Sequence, residues 1–485
     1  MFQLNAYKYV FHFDWIKNSL GSLLPISLVA AISFALCFFG NAGIIIGCFA
    51  NNILCFLLRP KKAKKPLVCT TRVIRMFITA GVLFALLVVA FVFTKVPFMT
   101  LLLIFPYFAI LLVNLINTPE ERAVRAYYIR DAKRKIASLP NLTVIGITGS
   151  YGKTSTKYTL AKLLSQKYNV LMTPASYNTT MGVVKVIRES LTAAHDIFIC
   201  EMGARSVGEI KEICDIVRPR HGIITSIGPC HLETFGSIEN VIKTKFELCD
   251  AIGNDGFIFL NADNEYIAGK KVDKNAIYYG IENKEICNFT AQNISVSENG
   301  TSFEAVFKDE KISLSSKLLG EHNVLNIVGC TACALTLGVE REKVAVAVKR
   351  LESVPHRLSL AKGPGFVIID DAFNSNPSGS RGALDVLSGF DGCKILITPG
   401  MIELGELQDT LNYELGKYAA QVCDVIYLIG EKQTEAIKKG ILDNLFPEEK
   451  LAVFARVEDA IIAAKSYPSG GRNVILIEND LPDNF

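Results

Sequence analysis

The chain has 485 residues, half of them hydrophobic and 20% charged, with a formal net charge of +4. That length allows two to four domains, and so mild a charge gives no indication of nucleic acid, so no nucleic-acid partner is expected. Thirteen cysteines scattered without the regular spacing of a secreted disulfide framework suit a reducing compartment. A mean hydropathy of +0.31 is high for a soluble protein and points to membrane segments.

Residues 1–117 are apolar throughout. Four spans can be drawn, Leu20–Phe39, Ala42–Leu58, Met76–Phe93 and Phe98–Leu115, each near the ~20 apolar residues that cross a bilayer. Two spans or a re-entrant variant is the alternative, because the second is short. Five of the seven residues Arg59–Lys65 are basic, which the positive-inside rule places in the cytoplasm. The expectation is a multi-pass protein of the cytoplasmic membrane with its catalytic domains in the cytoplasm. Residues 118–140 read as a basic linker helix, with Thr118 as cap, Pro119 in the first turn, and Glu120 and Glu121 at the positive end of the dipole. Its basic face either meets anionic membrane lipids or is simply solvated.

From Asn141 onward, short apolar runs alternate with helical stretches, the rhythm of α/β units on a parallel sheet. Leu142–Gly146 reads as a strand. It leads into Gly149-Ser-Tyr-Gly152-Lys153-Thr154-Ser155 and then a helix, the setting of a phosphate loop. Glycines let backbone N–H groups approach phosphate, and the helix N-terminus favours the anion. Lys153 reaches the β/γ-phosphates and the Thr154 hydroxyl ligates Mg²⁺. The first glycine of the usual pattern is displaced, with Ile147 in its place. Cys330 and Cys333 form a lone C-x-x-C that reads as two small residues on a packed helix.

The loop resembles the T-G-x-x-G-K-[TS] segment of the Mur ligase family. Six further segments follow in family order and resemble its D-alanyl-D-alanine-adding branch. They are Tyr177–Gly182, Ile197–Ala204 with Gly208–Ile210, His231–Lys245, Leu319–Asn326, Asp370–Pro377 and Pro399–Gly405. The resemblance implies a central P-loop ATPase domain over 141–355 and a C-terminal Rossmann-like domain over 356–485. The strands of the latter are expected at Phe366–Ile369, Ile395–Thr398, Val425–Ile429 and Val474–Ile477.

The implied chemistry phosphorylates a carboxylate with ATP and lets an amine displace the phosphate. Glu201, at a strand end, would hold Mg²⁺ with Thr154. His231 would help bind a second Mg²⁺, and Lys245 would do so as a carbamate, with Lys243 as the neighbouring alternative. Gly149, Gly152, Lys153, Thr154 and Ser155 would bind the nucleotide phosphates, Asn323 and Asn326 would lie near the adenine, and Arg357 would reach the phosphates. Asn178, Asn374 and Asn376 would contact substrate, and Asp371 would orient or deprotonate the amine. Asn323 and Asn326 have a plainer reading as helix caps, and Asn374 and Asn376 as turn residues before a proline.

Several positions depart from the family pattern. Membrane spans stand where the family has its UDP-sugar domain, Thr179 replaces an Asn, Gly400 an Asp and Phe373 a Tyr. Val474–Glu478 followed by Asn479 and Asp480 replaces a C-terminal K-G signature. The partners expected are a small-molecule or lipid-linked acceptor and an amino acid or dipeptide. A γ-glutamyl polymer is the alternative acceptor, and a non-catalytic nucleotide-binding membrane scaffold is the reading from another functional class.

Overall fold

The computed structural model describes residues 67–94 and 106–479, apart from 175–176, 273, 309, 374–375 and 403, together with a few isolated positions before residue 51. The chain divides into two compact units, Met1–Tyr128 and Ile129–Phe485.

The first unit contains the helix Thr71–Thr94 and most of a longer helix, Pro106–Ala137. Polar groups join the two. Arg72 donates to Asn114 Oδ1 at 3.1 Å, Thr79 donates to Asn117 Oδ1 at 2.7 Å, and Arg75 Nε donates to Glu121 at 2.8 Å. Met76, Leu111 and Val113 are buried beside them.

Two expectations are corrected here. No helix starts at Thr118: Pro119 lies inside the 32-residue helix, and the Thr118 hydroxyl donates to the Asn114 carbonyl one turn back instead of capping. Among the described residues, no helix is long and apolar enough to cross a membrane. That finding overturns the expected multi-pass location in the cytoplasmic membrane and removes the ground for membrane lipids as partners. Asn114, at the end of the expected fourth span, and Asn117, just beyond it, are buried on a polar seam shared with Arg72 and Thr79. The expected spans Leu20–Phe39 and Ala42–Leu58, apart from a few isolated positions, the basic loop after them, and residues 98–105 of the expected fourth span lie outside the described residues.

The second unit holds two sheets. The larger contains β1 (Thr143–Thr148), β2 (Val170–Met172), β3 (Ile197–Glu201), β4 (His221–Ile224), β5 (Ile258–Asn261), β6 (Ala276–Gly280), β7 (Phe289–Ser297), β8 (Gly300–Phe307) and β9 (Glu310–Ser316). Its order is β2-β3-β1-β4-β5-β6-β7-β8-β9. β1, apolar and buried along nearly its whole length, lies centrally between β3 and β4, parallel to both. The parallel part was expected. The antiparallel β7-β8-β9 extension was not, although Asn299-Gly300 between two alternating runs is a hairpin signal. The helices Lys153–Leu164 and Glu321–Thr336 pack on this sheet, with Cys330 and Cys333 as buried core residues.

The smaller sheet contains β10 (Ser359–Gly363), β11 (Phe366–Asp371), β12 (Cys393–Thr398), β13 (Val425–Ile429), β14 (Leu451–Phe454) and β15 (Asn473–Glu478), in the order β10-β11-β15-β12-β13-β14. All neighbours are parallel except the β10 edge. The four expected strands are present, each extended by no more than two residues at either end. β15 returns between β11 and β12, so the crevice at their carboxyl ends is a topological switch point, where open α/β sheets bind ligands.

Candidate active site

β1 ends at Thr148, and the loop 149–152 delivers the chain into the helix Lys153–Leu164. Gly152 caps that helix at φ 78°, a left-handed conformation that glycine adopts without strain. Gly149 has no room for a side chain, because a Cβ there would stand 2.1 Å from Thr225 Oγ1. The loop is laced to the segment after β4. Ser150 N donates to Ser226 O at 2.6 Å, Ser150 Oγ to Gly228 O at 3.0 Å, and Tyr151 OH to Pro229 O at 2.6 Å. This lacing carries His231, two residues beyond Pro229, to the edge of the phosphate loop. His231 caps the short helix Leu232–Phe235 at φ 50°. Lys153 Nζ arches back to the carbonyls of Gly149 and Ser150 at 2.8 and 2.9 Å. Burial pushes its pKa down, against the pull of Glu201.

Glu201, at the end of β3, is buried and held on every side. Lys157 Nζ meets Oε2 at 2.8 Å, Asn178 Nδ2 donates to Oε1 at 3.0 Å, and the Thr154 hydroxyl lies 3.2 and 3.3 Å from the two oxygens. Burial alone would raise the Glu201 pKa. The Lys157 ammonium, with Lys153 and Asn178, instead holds it below the usual carboxylate value. Lys157, the buried cation paired with Glu201, is a residue of this cluster that the sequence reading missed. Its signal was its spacing, one helical turn after Lys153 and so on the same face. Asn178, expected on substrate, is placed on Glu201. Thr179, in place of the family's Asn, caps the helix Thr180–Ser190 by accepting from Gly182 N at 3.3 Å.

Lys245, on the helix Ile238–Ala251, is buried, whereas Lys243 is exposed. Burial, reinforced by the Lys153 charge, brings the Lys245 pKa down to about 8. Among the described residues no three His, Cys, Asp or Glu side chains gather as a metal cage. Mg²⁺ is commonly held by one or two carboxylates together with phosphate oxygens and water. Thr154 and Glu201 supply such a donor pair beside the phosphate loop.

A cavity of about 170 Å³ opens against the same helix start, lined among others by Ser155, Thr159, Asn323, Arg350 and Arg357. Asn326 accepts from Thr156 Oγ1 at 3.2 Å, and its Oδ1 lies 3.1 Å from where a Gly152 Cβ would stand. Asn323 donates to the Leu319 carbonyl at 2.7 Å, four residues back, while also lining the cavity. Arg357 stacks on Phe373, 4.7 Å from the ring centre, and burial lowers its pKa against the opposing charges of Asp371 and Glu201. Asp371 accepts from Leu358 N at 3.1 Å. Asn376 caps the helix Pro377–Ser388 by accepting from Gly379 N at 2.9 Å, a local backbone contact in line with its plainer reading. Asn374 lies outside the described residues. Gly400 has φ 84°, and a Cβ there would meet Ile437 at 2.7 Å, so an Asp at this position would not fit the backbone as it stands.

Comparison with known proteins follows the same lines. Residues 147–334 match the family model of the Mur ligase middle domain, and residues 356–477 match that of the Mur ligase glutamate ligase domain. The chain is 30% identical over 298 residues to the UDP-N-acetylmuramoyl-tripeptide--D-alanyl-D-alanine ligase of Escherichia coli, covering 61% of this chain and 66% of the relative. It is 30% identical over 329 residues to the enzyme of that name from Synechocystis, covering 66% and 68%. The chain thus spans about two thirds of the length of such relatives. The crystal structure of MurF ligase from Thermotoga maritima in complex with ADP superposes with a TM-score of 0.65 at 27% identity, covering 73% of this chain and 80% of that one.

Proposed function

Since the chain belongs to the Mur ligase family, we propose that it is an ATP- and Mg²⁺-dependent peptide ligase that adds D-alanyl-D-alanine to a muramoyl-tripeptide in peptidoglycan synthesis. The observation that carries this reading is the convergence of the phosphate loop, the Thr154–Glu201 donor pair, the buried Lys245 and the Arg357-lined cavity on one helix start. Residues 141–355 form the ATP-binding domain and 356–485 the C-terminal domain, in keeping with the two family matches.

Lys153 and the loop N–H groups bind and orient the nucleotide phosphates. Arg357 reaches them from the C-terminal domain, and Ser155, Asn323 and Asn326 shape the nucleoside side. Thr154 and Glu201 would hold Mg²⁺, which when bound neutralises charge on the transferring phosphoryl group. His231 and a Lys245 carbamate would hold a second ion. Phosphate passes to the acceptor carboxylate, and the amine then displaces it to give the amide.

A second reading keeps this chemistry but changes the acceptor or amine, for example to a γ-glutamyl chain. Gly400 and Glu478 favour it, because both replace family residues on the C-terminal domain. A non-catalytic scaffold would have no need of the intact Lys153, Thr154, Glu201 and His231. The test is mass spectrometry of the full chain incubated with UDP-muramoyl-tripeptide, D-alanyl-D-alanine and Mg-ATP. The expected product is the pentapeptide nucleotide. Unchanged tripeptide, with ATP still bound by the protein, would remove the substrate assignment.

Lys245 gives a separate expectation. Carbamate forms only from the neutral amine, and a pKa of about 8 leaves a useful neutral fraction near pH 8.5 and little at pH 6.5. Turnover in CO₂-stripped buffer should therefore fall, and added bicarbonate should restore it faster at pH 8.5 than at pH 6.5. Turnover indifferent to bicarbonate at both pH values would show that Lys245 acts as an amine.

A further inference from the structure

We propose that Glu298 and Arg472 form a latch between the two sheet lobes of the second unit, and that these two positioning residues hold the nucleotide cavity in its binding shape. This rests on the ATP-site reading above.

Glu298 lies in the two-residue turn between β7 and β8, at the tip of the antiparallel extension of the larger sheet. Arg472 lies just before β15 of the smaller sheet. Arg472 Nη1 donates to one Glu298 oxygen at 3.0 Å, and Nη2 donates to the other. The guanidinium is also tied to its own lobe, where Nε and Nη2 donate to the Asp391 carbonyl at 3.2 and 2.6 Å. A forked pair of this kind fixes direction as well as charge.

The turn is joined to the cavity wall. A Cβ on Gly300, whose φ is 127°, would stand 2.0 Å from Ser316 O, so the turn lies directly on the end of β9. Thr301 Oγ1 donates to Leu318 O at 2.8 Å. Leu318 and Leu319 are where the chain passes from one lobe to the other. Leu318 is buried in the core of the larger sheet and lines the nucleotide cavity, whereas Leu319 is buried in the core of the smaller sheet. Asn323, on the same cavity, donates to Leu319 O. The C-terminal domain adds Arg357 to that cavity. A shift of the smaller-sheet lobe therefore displaces Leu319 and Arg357 together, and the latch resists that shift from the hairpin side.

The pair is able to open. The Arg472 and Glu298 side chains are 34% and 28% exposed, so breaking their contact returns both charges to water at little cost. The buried Lys157–Glu201 pair has no such freedom. Coupling between sites is reciprocal: a closed latch that favours nucleotide is itself favoured by bound nucleotide.

The test uses Glu298→Ala, Arg472→Met and the double variant in the full chain, with the magnesium complex of adenylyl imidodiphosphate as probe. By calorimetry each single variant should bind the probe about fivefold more weakly than wild type, the low end of coupling between sites. The double variant should bind no more weakly than the weaker single variant, because one interaction is lost in all three. Hydrogen exchange gives the second readout. In the wild type the amides of residues 298–301 should exchange more slowly with the probe bound, and in Glu298→Ala they should not respond. Single variants that bind like wild type, losses that multiply in the double variant, or equal slowing of exchange in both proteins would each overturn the latch. A wild type that does not bind the probe would overturn the ATP-site reading, and the latch with it.

Discussion

Replacing Lys157 by methionine is expected to destabilise the second unit by about 3–5 kcal/mol, because it leaves Glu201 charged, buried and stripped of its closest cation. Lys157 and Glu201 are 0% and 2% exposed, and their contact is 2.8 Å. Neither partner can turn to water when the other is removed. Asn178 and Thr154 still donate to the carboxylate, but neither carries a charge. Glu201→Gln should cost a similar amount by stranding the ammonium. The double variant should recover much of both losses, since replacing a buried pair with neutral groups is often close to neutral. Urea denaturation of the four proteins measures this. Additive losses in the double variant would mean that the pair is not the stabilising unit. The stable double variant should still lack turnover, which separates the contribution of these residues to folding from their contribution to chemistry.

Lys153→Ala is expected to reduce ATP-dependent turnover by about 10²–10³-fold, roughly 3–4 kcal/mol of transition-state stabilisation, the scale of removing one preorganised charge-stabilising donor. Its fold should survive. Lys153 donates only to the carbonyls of Gly149 and Ser150, and relief of its burial offsets those two bonds. Initial rates together with a melting curve check both halves. A variant with wild-type turnover would remove Lys153 from phosphate binding. A variant that is merely unfolded would show a collapsed melting transition instead.

Much of this site could be read from residue order, because its chemistry sits at strand ends where motif and structure coincide. β1 followed by glycines and Lys153, and Ile197–Glu201 ending in an acid, are local patterns that need no tertiary knowledge. Lys157 was missed because a lysine inside a helix usually points to solvent, and its burial is decided by Glu201, 44 residues away on another strand. Glu478 was noted only as a departure from the family pattern, since its register pairing with Asp371 depends on β15 inserting between β11 and β12. Asn376 and Asn323 satisfy neighbouring backbone groups, a competing use of Asn that sequence spacing does not separate from ligand contact.

The N-terminal reading was overturned for a different reason. Hydropathy counts apolar residues but is blind to Asn114 and Asn117 turning inward onto Arg72 and Thr79, and to the helix continuing through Pro119. At the other end of the central sheet, the alternating pattern of β9 and the Asn299-Gly300 turn were legible. They were passed over because the preceding units all repeat a parallel rhythm.

In the proposed function, ATP cleavage is coupled to joining an acceptor carboxylate and an amine. The most direct measurement is phosphate release from Mg-ATP by the purified full chain, with UDP-muramoyl-tripeptide and D-alanyl-D-alanine offered singly and together, and Lys153→Ala as control. Sustained release is expected only when both are present, and none in the variant. Release that ignores the amine, or that survives the loss of Lys153, would contradict it.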